Sequence, residues 1–166
     1  MVINLKPLLE KQKELDADIN ARHGCSHQST KTERFLALLV EIGELANATR
    51  AFKYWSLKGS ESRTVLLDEF ADGLHFFLSL ALVFDFKLGN VEYETLPASK
   101  DVINNAFRDV YLRINDLMRK ESRRCYNAAL KAFLMLGSAL TFTPQDITNA
   151  YNAKLVVNYD RQKTNY

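Results

Sequence analysis

Four carboxylates form two pairs that share one spacing: Glu41 with Glu44 in E-I-G-E, and Glu69 with Asp72 in E-F-A-D. Residues three apart on an α-helix project from nearly the same face, so each pair can offer adjacent oxygens. Two such helices packed together can surround one or two hard cations, which take oxygen ligands. The two pairs therefore predict a site for Mg²⁺ or Mn²⁺ that acts together with a phosphate chain.

A second interpretation is that these acids form ion pairs on a half-exposed seam. Buried carboxylates need a cationic partner, and nearby basic residues could supply one: Arg34, Arg50, Lys53 and Arg63. Spacing alone leaves both interpretations open. Small residues flank the acids and favour a shared metal, because they let helix backbones approach closely: Gly43, Ala46, Ala71 and Gly73.

The segment between the two pairs, A-F-K-Y-W-S-L-K-G over residues 51–59, contains two lysines and the only tryptophan. Lysine neutralises phosphate, and an aromatic face stacks on a base. Lys53 and Trp55 are thus candidates for nucleotide contacts, although a tryptophan in this position is also typical of a loop anchor.

Helical periodicity predicts the elements that carry these residues. A first helix is predicted over Ile3–Ile19, and a second opens with a capping box at Thr30-x-x-Glu33. A third runs from Ser62 to about Phe86, and its second half is apolar nearly all round. A helix of that kind is enclosed by others, so it is predicted to be central.

Three further helices follow the loop at Pro97. Ser99 is a candidate N-cap for the fourth, the fifth ends near Leu140, and Thr143-Pro144-Gln145-Asp146 starts the sixth with an N-cap, a proline and an acid. The polar tail from Lys154 is predicted to leave the sixth helix. The expected fold is all-α, a bundle of about six helices over residues 1–166 in a single domain, with the metal site between two central helices.

Composition excludes several classes of function. The chain has 166 residues, 47% hydrophobic, and its net charge is 22 − 20 = +2, far from that of a dedicated nucleic-acid binder. Its glycines show neither Rossmann nor P-loop spacing. The longest nearly apolar stretch, Gly73–Phe84, is too short for a membrane span. Cys25 and Cys125 form no C-x-x-C motif, so a reducing compartment, the cytoplasm, is expected.

The motifs resemble one family in order along nearly the whole chain. E-I-G-E-L-A-N, F-K-Y-W and L-L-D-E-F-A-D-G-L-H-F are similar to motifs of the dimeric dUTPases, within the all-α nucleoside-triphosphate pyrophosphatase superfamily that includes MazG-like proteins. The segment Gln12–Ile19 resembles the family's base-binding segment, and the tail from Lys154 resembles the family's tail. Two departures are Asn165, where glycine is usual, and Asp16, where an amide is also found.

The resemblance implies roles for individual residues. The four carboxylates would hold Mg²⁺, with Mn²⁺ as a substitute, and Glu41 would orient or deprotonate the attacking water. Gln12 and Asp16 would read the uracil edge while Trp55 packs against it. His75 and Phe76 would meet the deoxyribose, where an aromatic ring leaves no room for a 2′-hydroxyl. Contacts to phosphates or sugar would come from six residues: Lys53, Lys154, Asn158, Arg161, Gln162 and Tyr166.

The resemblance thus implies a homodimeric dUTP diphosphatase that releases dUMP and pyrophosphate, with neither a nucleic acid nor a membrane as partner. We expect its tail to be mobile without ligand and ordered over bound nucleotide. Two alternatives remain at this stage. One is the same chemistry on another nucleotide such as dCTP, since carboxylates contact only metal and phosphate. The other is a non-catalytic helical interaction module whose acids are salt-bridged.

Overall fold

The computed structural model describes residues 1–164, and within them it contains six α-helices and two short strands. The helices are α1 (Lys6–His23), α2 (Lys31–Thr49), α3 (Arg63–Val83), α4 (Lys100–Lys120), α5 (Arg123–Ala139) and α6 (Pro144–Lys163); the strands are β1 (Val2–Asn4) and β2 (Asn90–Glu92). The predicted all-α fold is confirmed. Over residues 1–164 no single helix has the length and apolarity to cross a membrane; α5 and α6 reach them only as a pair bent by 105°.

Side-chain caps mark where several helices begin. As predicted, Ser99 Oγ accepts a hydrogen bond from Val102 N and Thr143 is the N-cap of α6; Thr143 also forms a complete capping box with Asp146. The capping box predicted at Thr30 is wrong, because Thr30 makes no side-chain cap bond. Its hydroxyl donates to the Ser26 carbonyl and accepts from Arg34 Nε instead.

Helix α3 lies at the centre of the bundle, and buried side chains of all six helices form one core around it. The rings of Phe70 on α3 and Phe133 on α5 stack with centroids 4.1 Å apart. Two glycines make this contact sterically feasible: a Cβ on Gly137 would lie 2.8 Å from Phe70 Cζ, and one on Gly73 would lie 3.0 Å from Phe133 Cζ. Gly73 therefore chiefly accommodates an aromatic ring of α5, not the backbone of α2 as its position beside the acids suggested.

The first residues differ from the prediction of a helix beginning at Ile3. β1 pairs antiparallel with β2, and Ile3 lies opposite Val91. The terminal amine donates to the Tyr93 carbonyl, and Leu5 N donates to the Gly89 carbonyl. These partners lie some ninety residues away, so helical periodicity could not reveal them.

The tail also differs from the prediction, because α6 continues through it to Lys163. Tyr151 and Lys154 are buried. Arg22 donates to the carbonyl of Gln162, and His23 Nε2 lies 3.3 Å from Gln162 Oε1. Contacts of this kind with α1 give the polar end of α6 its packing partners. Tyr166 and Asn165, both singled out from the sequence, lie outside the described residues.

Candidate active site

Three of the four predicted metal ligands converge between α2 and α3. Glu41, Glu69 and Asp72 each place one carboxylate oxygen so that all three lie within 4.8 Å of one another. We call these three residues the acidic cluster. Glu44 lies one helical turn from Glu41, is exposed, and lines the same cavity as Glu41 and Asp72. The helical spacing thus directs the acids to one region, with Glu44 at its rim.

The acidic cluster carries excess negative charge. Burial, together with the neighbouring carboxylates of Asp72, Glu44 and Glu69, raises the pKa of Glu41 to about 7. Burial likewise raises the pKa values of Glu69 and Asp72. Hard oxygen donors that repel one another fit a divalent hard cation, which supplies the missing positive charge.

Lys154 on α6 brings a positive charge to this cluster. Its Nζ lies 2.6 Å from Asp72 Oδ2 and 2.7 Å from Asp68 Oδ2. Burial opposes the charged form of Lys154, but the hydrogen bonds to the two aspartates and their negative charges together outweigh that effect and raise its pKa. Asp68 was not singled out from the sequence, although it directly precedes the second acidic pair.

The basic residues that could have paired with the acids are engaged elsewhere. Arg34 pairs with Asp16, Arg63 pairs with Asp146, and Arg50 donates to Ser56 Oγ. The Lys53 ammonium lies over the ring of Phe52. The interpretation of the acids as structural ion pairs with these four residues is therefore not what the fold shows.

A cavity of about 660 Å³ opens beside the acidic cluster, between α1, α2, α3 and α6. Ten of the predicted site residues line it: Gln12, Asp16, Glu41, Glu44, Asp72, His75, Phe76, Asn158, Arg161 and Gln162. Glu69 and Lys154 adjoin it through Asp72. Four helices that are distant in sequence thus assemble one concave site with acids on one side and amides and an imidazole within it.

The inner part of the cavity is a connected polar network. Gln12 Nε2 donates to Asp16 Oδ1 over 2.8 Å, and Gln12 Oε1 lies 2.7 Å from His75 Nδ1 and 3.0 Å from the Tyr151 hydroxyl. The rings of His75 and Tyr151 stack 4.1 Å apart. Burial lowers the pKa of His75 to about 4, so the ring is neutral at pH 7. Its Nε2 is buried and has no hydrogen-bond partner among residues 1–164.

A protein-family model described as dUTPase matches residues 4–166, nearly the whole chain. The chain belongs to the dUTPase family. Its activity is accordingly that of a dUTP diphosphatase, and the family predicted from the motifs is confirmed. No curated protein matches the chain.

Sequence reasoning missed three residues of this dUTPase site that surround Asp16: His27, Arg34 and Ser79. Asp16 Oδ2 accepts from Arg34 Nη1 over 2.8 Å and from Ser79 Oγ over 2.6 Å, and it lies 2.9 Å from His27 Nε2. Ser79 is a hydroxyl within the most apolar stretch of the chain, which was a usable signal. Arg34 was considered only as a partner of the metal-binding acids.

Besides Glu69 and Lys154, which adjoin the cavity through Asp72, two further predicted site residues do not line it. Lys53 and Trp55 lie in the loop that follows α2, where the indole is exposed and packs edge-on against Tyr54. Lys53 lines a separate hollow of about 280 Å³ between this loop and the start of α4. Within one chain, neither residue is brought to the acidic cluster.

Proposed function

We propose that this dUTPase hydrolyses dUTP to dUMP and pyrophosphate with Mg²⁺ held by Glu41, Glu69 and Asp72, and with Glu44 contributing from the rim. Mn²⁺ would serve as a substitute. The observation that carries the proposal is the convergence of three carboxylate oxygens within 4.8 Å, at the wall of a cavity large enough for a nucleotide. When bound, the cation would polarise the phosphate chain and activate water.

Glu41 is the residue that we propose to orient and deprotonate the attacking water. In the metal-free protein, its burial and its acidic neighbours raise its pKa to about 7, near the working pH of a general base. The ionised form, which a neighbouring cation favours, is the one that accepts the proton. Glu69 and Asp72 supply the other two carboxylates of the acidic cluster, from α3, which faces Glu41 on α2.

The nucleotide would lie along the cavity with its phosphates towards α6. Four polar side chains on successive turns of α6 are proposed to contact the phosphates or the sugar: Lys154, Asn158, Arg161 and Gln162. Tyr166 stays a prediction beyond the described residues. Lys53 and Trp55 also stay predictions, and contact with a bound nucleotide would require their loop to approach the cavity from outside.

The base and the sugar would occupy the inner part of the cavity. Gln12 is proposed to pair with the uracil edge, Phe76 to enclose the deoxyribose with its half-buried ring, and His75 to contact both the sugar and the base. A planar ring against C2′ excludes a ribose hydroxyl by steric clash. The product dUMP would then feed thymidylate synthesis, while removal of dUTP keeps uracil out of DNA.

The chain is further proposed to act as a homodimer in the cytoplasm. Helices α2 and α4 run antiparallel on the surface, joined by the pairs Lys31–Glu121 and Ala51–Asn104. Apolar side chains are exposed along both helices: Leu36, Val40, Tyr111, Leu112 and Met118. We call them the α2–α4 face, and a second copy of the chain would bury it. Both cysteines are free thiols, which is compatible with a reducing compartment.

A substrate panel tests the proposed activity. Pyrophosphate release is measured with Mg²⁺ for each of the common dNTPs, dUTP and UTP. We expect dUTP to be preferred, UTP and dTTP to be poor, and Glu41→Gln to lose roughly 10³-fold in kcat with unchanged helicity. Glu10→Gln, on the exposed face of α1, is the matched control. Comparable rates on dCTP would shift the assignment to another nucleotide, and loss of the fold in Glu41→Gln would favour a structural role.

A further inference from the structure

The carboxylate of Asp16 is hydrogen-bonded by other side chains of the same chain. It is only 2% exposed, and both of its oxygens carry donors from the chain. Oδ2 faces Arg34, Ser79 and His27, whereas Oδ1 faces the amide of Gln12. Arg34 is itself nearly buried and supplies the positive charge that a buried carboxylate requires. The geometry suits Asp16 for orienting another side chain better than for contacting a base.

Asp16 determines which groups donate and which accept hydrogen bonds in the network that it forms with Gln12, His75 and Tyr151. An ionised carboxylate only accepts hydrogen bonds, so the Gln12 atom facing it must be the amide nitrogen. Gln12 Oε1 therefore points to His75 Nδ1 and to the Tyr151 hydroxyl. Because His75 is neutral and Nδ1 faces an acceptor, Nδ1 carries the proton. Nε2 is left with a lone pair, and it is the buried ring atom that has no partner among residues 1–164.

We infer that Asp16, held by Arg34, is a positioning residue that sets base selectivity by fixing the amide orientation of Gln12 and the tautomer of His75. The inference rests on the proposed function, in which the base enters this end of the cavity. The network leaves one donor, the second N–H of Gln12, and one acceptor, His75 Nε2. Uracil presents a carbonyl acceptor at position 4 and an N–H donor at position 3, and cytosine reverses both. A pocket of fixed polarity can therefore accept one base and reject the other.

A single isosteric substitution is expected to reverse this polarity. In Asp16→Asn, the donors of Arg34 and Ser79 hold the new amide oxygen, so the new NH₂ group faces Gln12. Gln12 must then turn its oxygen towards residue 16 and its nitrogen towards His75 Nδ1. The His75 proton consequently moves to Nε2, and this buried acceptor at the cavity wall becomes a donor. The Tyr151 hydroxyl tolerates this change, because it can accept from Gln12 while donating to the Leu8 carbonyl, 3.1 Å away.

The experiment combines a tautomer measurement with substrate kinetics on the full chain. ¹⁵N NMR of the imidazole nitrogens of His75 is recorded for the native protein and for Asp16→Asn. We expect Nδ1–H in the native protein and Nε2–H in the variant. The ratio of kcat/KM for dUTP to that for dCTP should fall by about 10- to 100-fold in the variant. Asp109→Asn, which breaks the exposed Asp109–Arg113 pair on α4, is the matched control and should change neither quantity.

Arg34 is tested in the same way. Arg34→Met should lower the dUTP-to-dCTP ratio in the same direction as Asp16→Asn, because Oδ2 loses its charged partner. Arg34→Lys keeps the positive charge and should restore most of the ratio. A merely structural role would instead lower the rates on both nucleotides equally and leave the ratio unchanged.

The outcomes separate this inference from the proposed function. An Nε2–H tautomer in the native protein overturns the inference without any variant, so an unstable Asp16→Asn protein does not leave it undecided. An unchanged tautomer or an unchanged ratio in a folded Asp16→Asn protein also overturns it. If the native protein cleaves neither nucleotide, the proposed function fails, while the His75 tautomer still reports whether Asp16 orients Gln12.

Discussion

Lys154 Nζ lies 2.6 Å from Asp72 Oδ2, although the two residues are on different helices and far apart in the sequence. The lysine side chain is nearly buried, and the aspartate belongs to the acidic cluster. This contact places a positive charge beside the carboxylates and close to the cavity. The same ammonium can compensate the cluster in the free protein and meet a phosphate when a nucleotide is bound.

Lys154→Met should destabilise the metal-free protein. The substitution keeps an apolar stem but removes the ammonium that contacts Asp72 and Asp68, which we expect to cost about 1–3 kcal/mol in the free energy of unfolding. Thermal and urea unfolding in EDTA measure the loss, and added Mg²⁺ should recover part of it. Lys163→Met, which removes the exposed Lys163–Asp160 pair, is the control. Equal stability of the two variants would contradict a compensating role for Lys154.

EDTA should abolish dUTP hydrolysis, and Mg²⁺ should restore it. The acidic cluster repels itself without a cation, so a bound divalent ion also stabilises the folded state by mass action. A melting temperature that rises with Mg²⁺ concentration, measured calorimetrically, would give the affinity of the site. Glu69→Gln should weaken this rise. Full turnover in EDTA would rule out metal-dependent chemistry.

Without metal, the stability contributed by Glu41 should fall as the pH rises. The pKa of Glu41 is about 7 in the folded protein against an ordinary value of 4.5, so the folded state binds the proton more tightly. Its contribution is therefore fully present below about pH 4.5 and is lost as the pH rises to about 7. His75, with its pKa lowered to about 4, acts in the opposite direction between about pH 4 and 6.5.

The comparison with Glu41→Gln isolates this effect. Melting temperatures are measured in EDTA from pH 4.5 to 7 for both proteins. The native protein should lose stability relative to the variant as the pH rises, since only the native side chain ionises. A difference that stays constant across this range would show that Glu41 titrates at its ordinary value.

Phe76→Ala should relax selectivity for the sugar. Phe76 lines the cavity beside His75, and its ring is proposed to exclude a 2′-hydroxyl. Removing the ring should raise the ratio of kcat/KM for UTP to that for dUTP by roughly 10-fold. Val2→Ala, at an exposed position of β1 that does not line the cavity, is the control. A variant that loses activity equally on both nucleotides would show that Phe76 acts only through packing.

Charge on the α2–α4 face should dissociate the proposed dimer. Val40→Lys introduces an ammonium among exposed apolar side chains, and burying it unpaired in an interface is costly. Light scattering at several protein concentrations should show a dimer for the native protein and a monomer for Val40→Lys. Leu57→Lys, at a fully exposed position in the loop after α2, should remain dimeric. A native monomer would remove the dimer from the proposal.

Local sequence patterns were enough to predict most of the helices and to predict that the two acidic pairs point towards a common region. Helical periodicity, the serine cap at Ser99 and the capping box at Thr143 depend on residues a few positions apart. The same local logic failed where the partner was distant. Ile3 lies opposite Val91 in a strand pair, and Thr30 accepts a hydrogen bond from Arg34 instead of capping α2. The polar tail stays helical because it packs on α1.

The sequence by itself determined that this protein is an all-α dUTPase with two acidic pairs on separate helices, each pair spaced to share one helix face. Only the tertiary structure decided that Glu44 lies at the rim, that Lys154 contacts Asp72, and that Asp16 is held by Arg34. Spacing along a helix sets where a side chain points around its own axis. The rotation and depth of each helix against its neighbours come from packing of the core, as at the stacked rings of Phe70 and Phe133 over Gly137, where residues from distant segments meet.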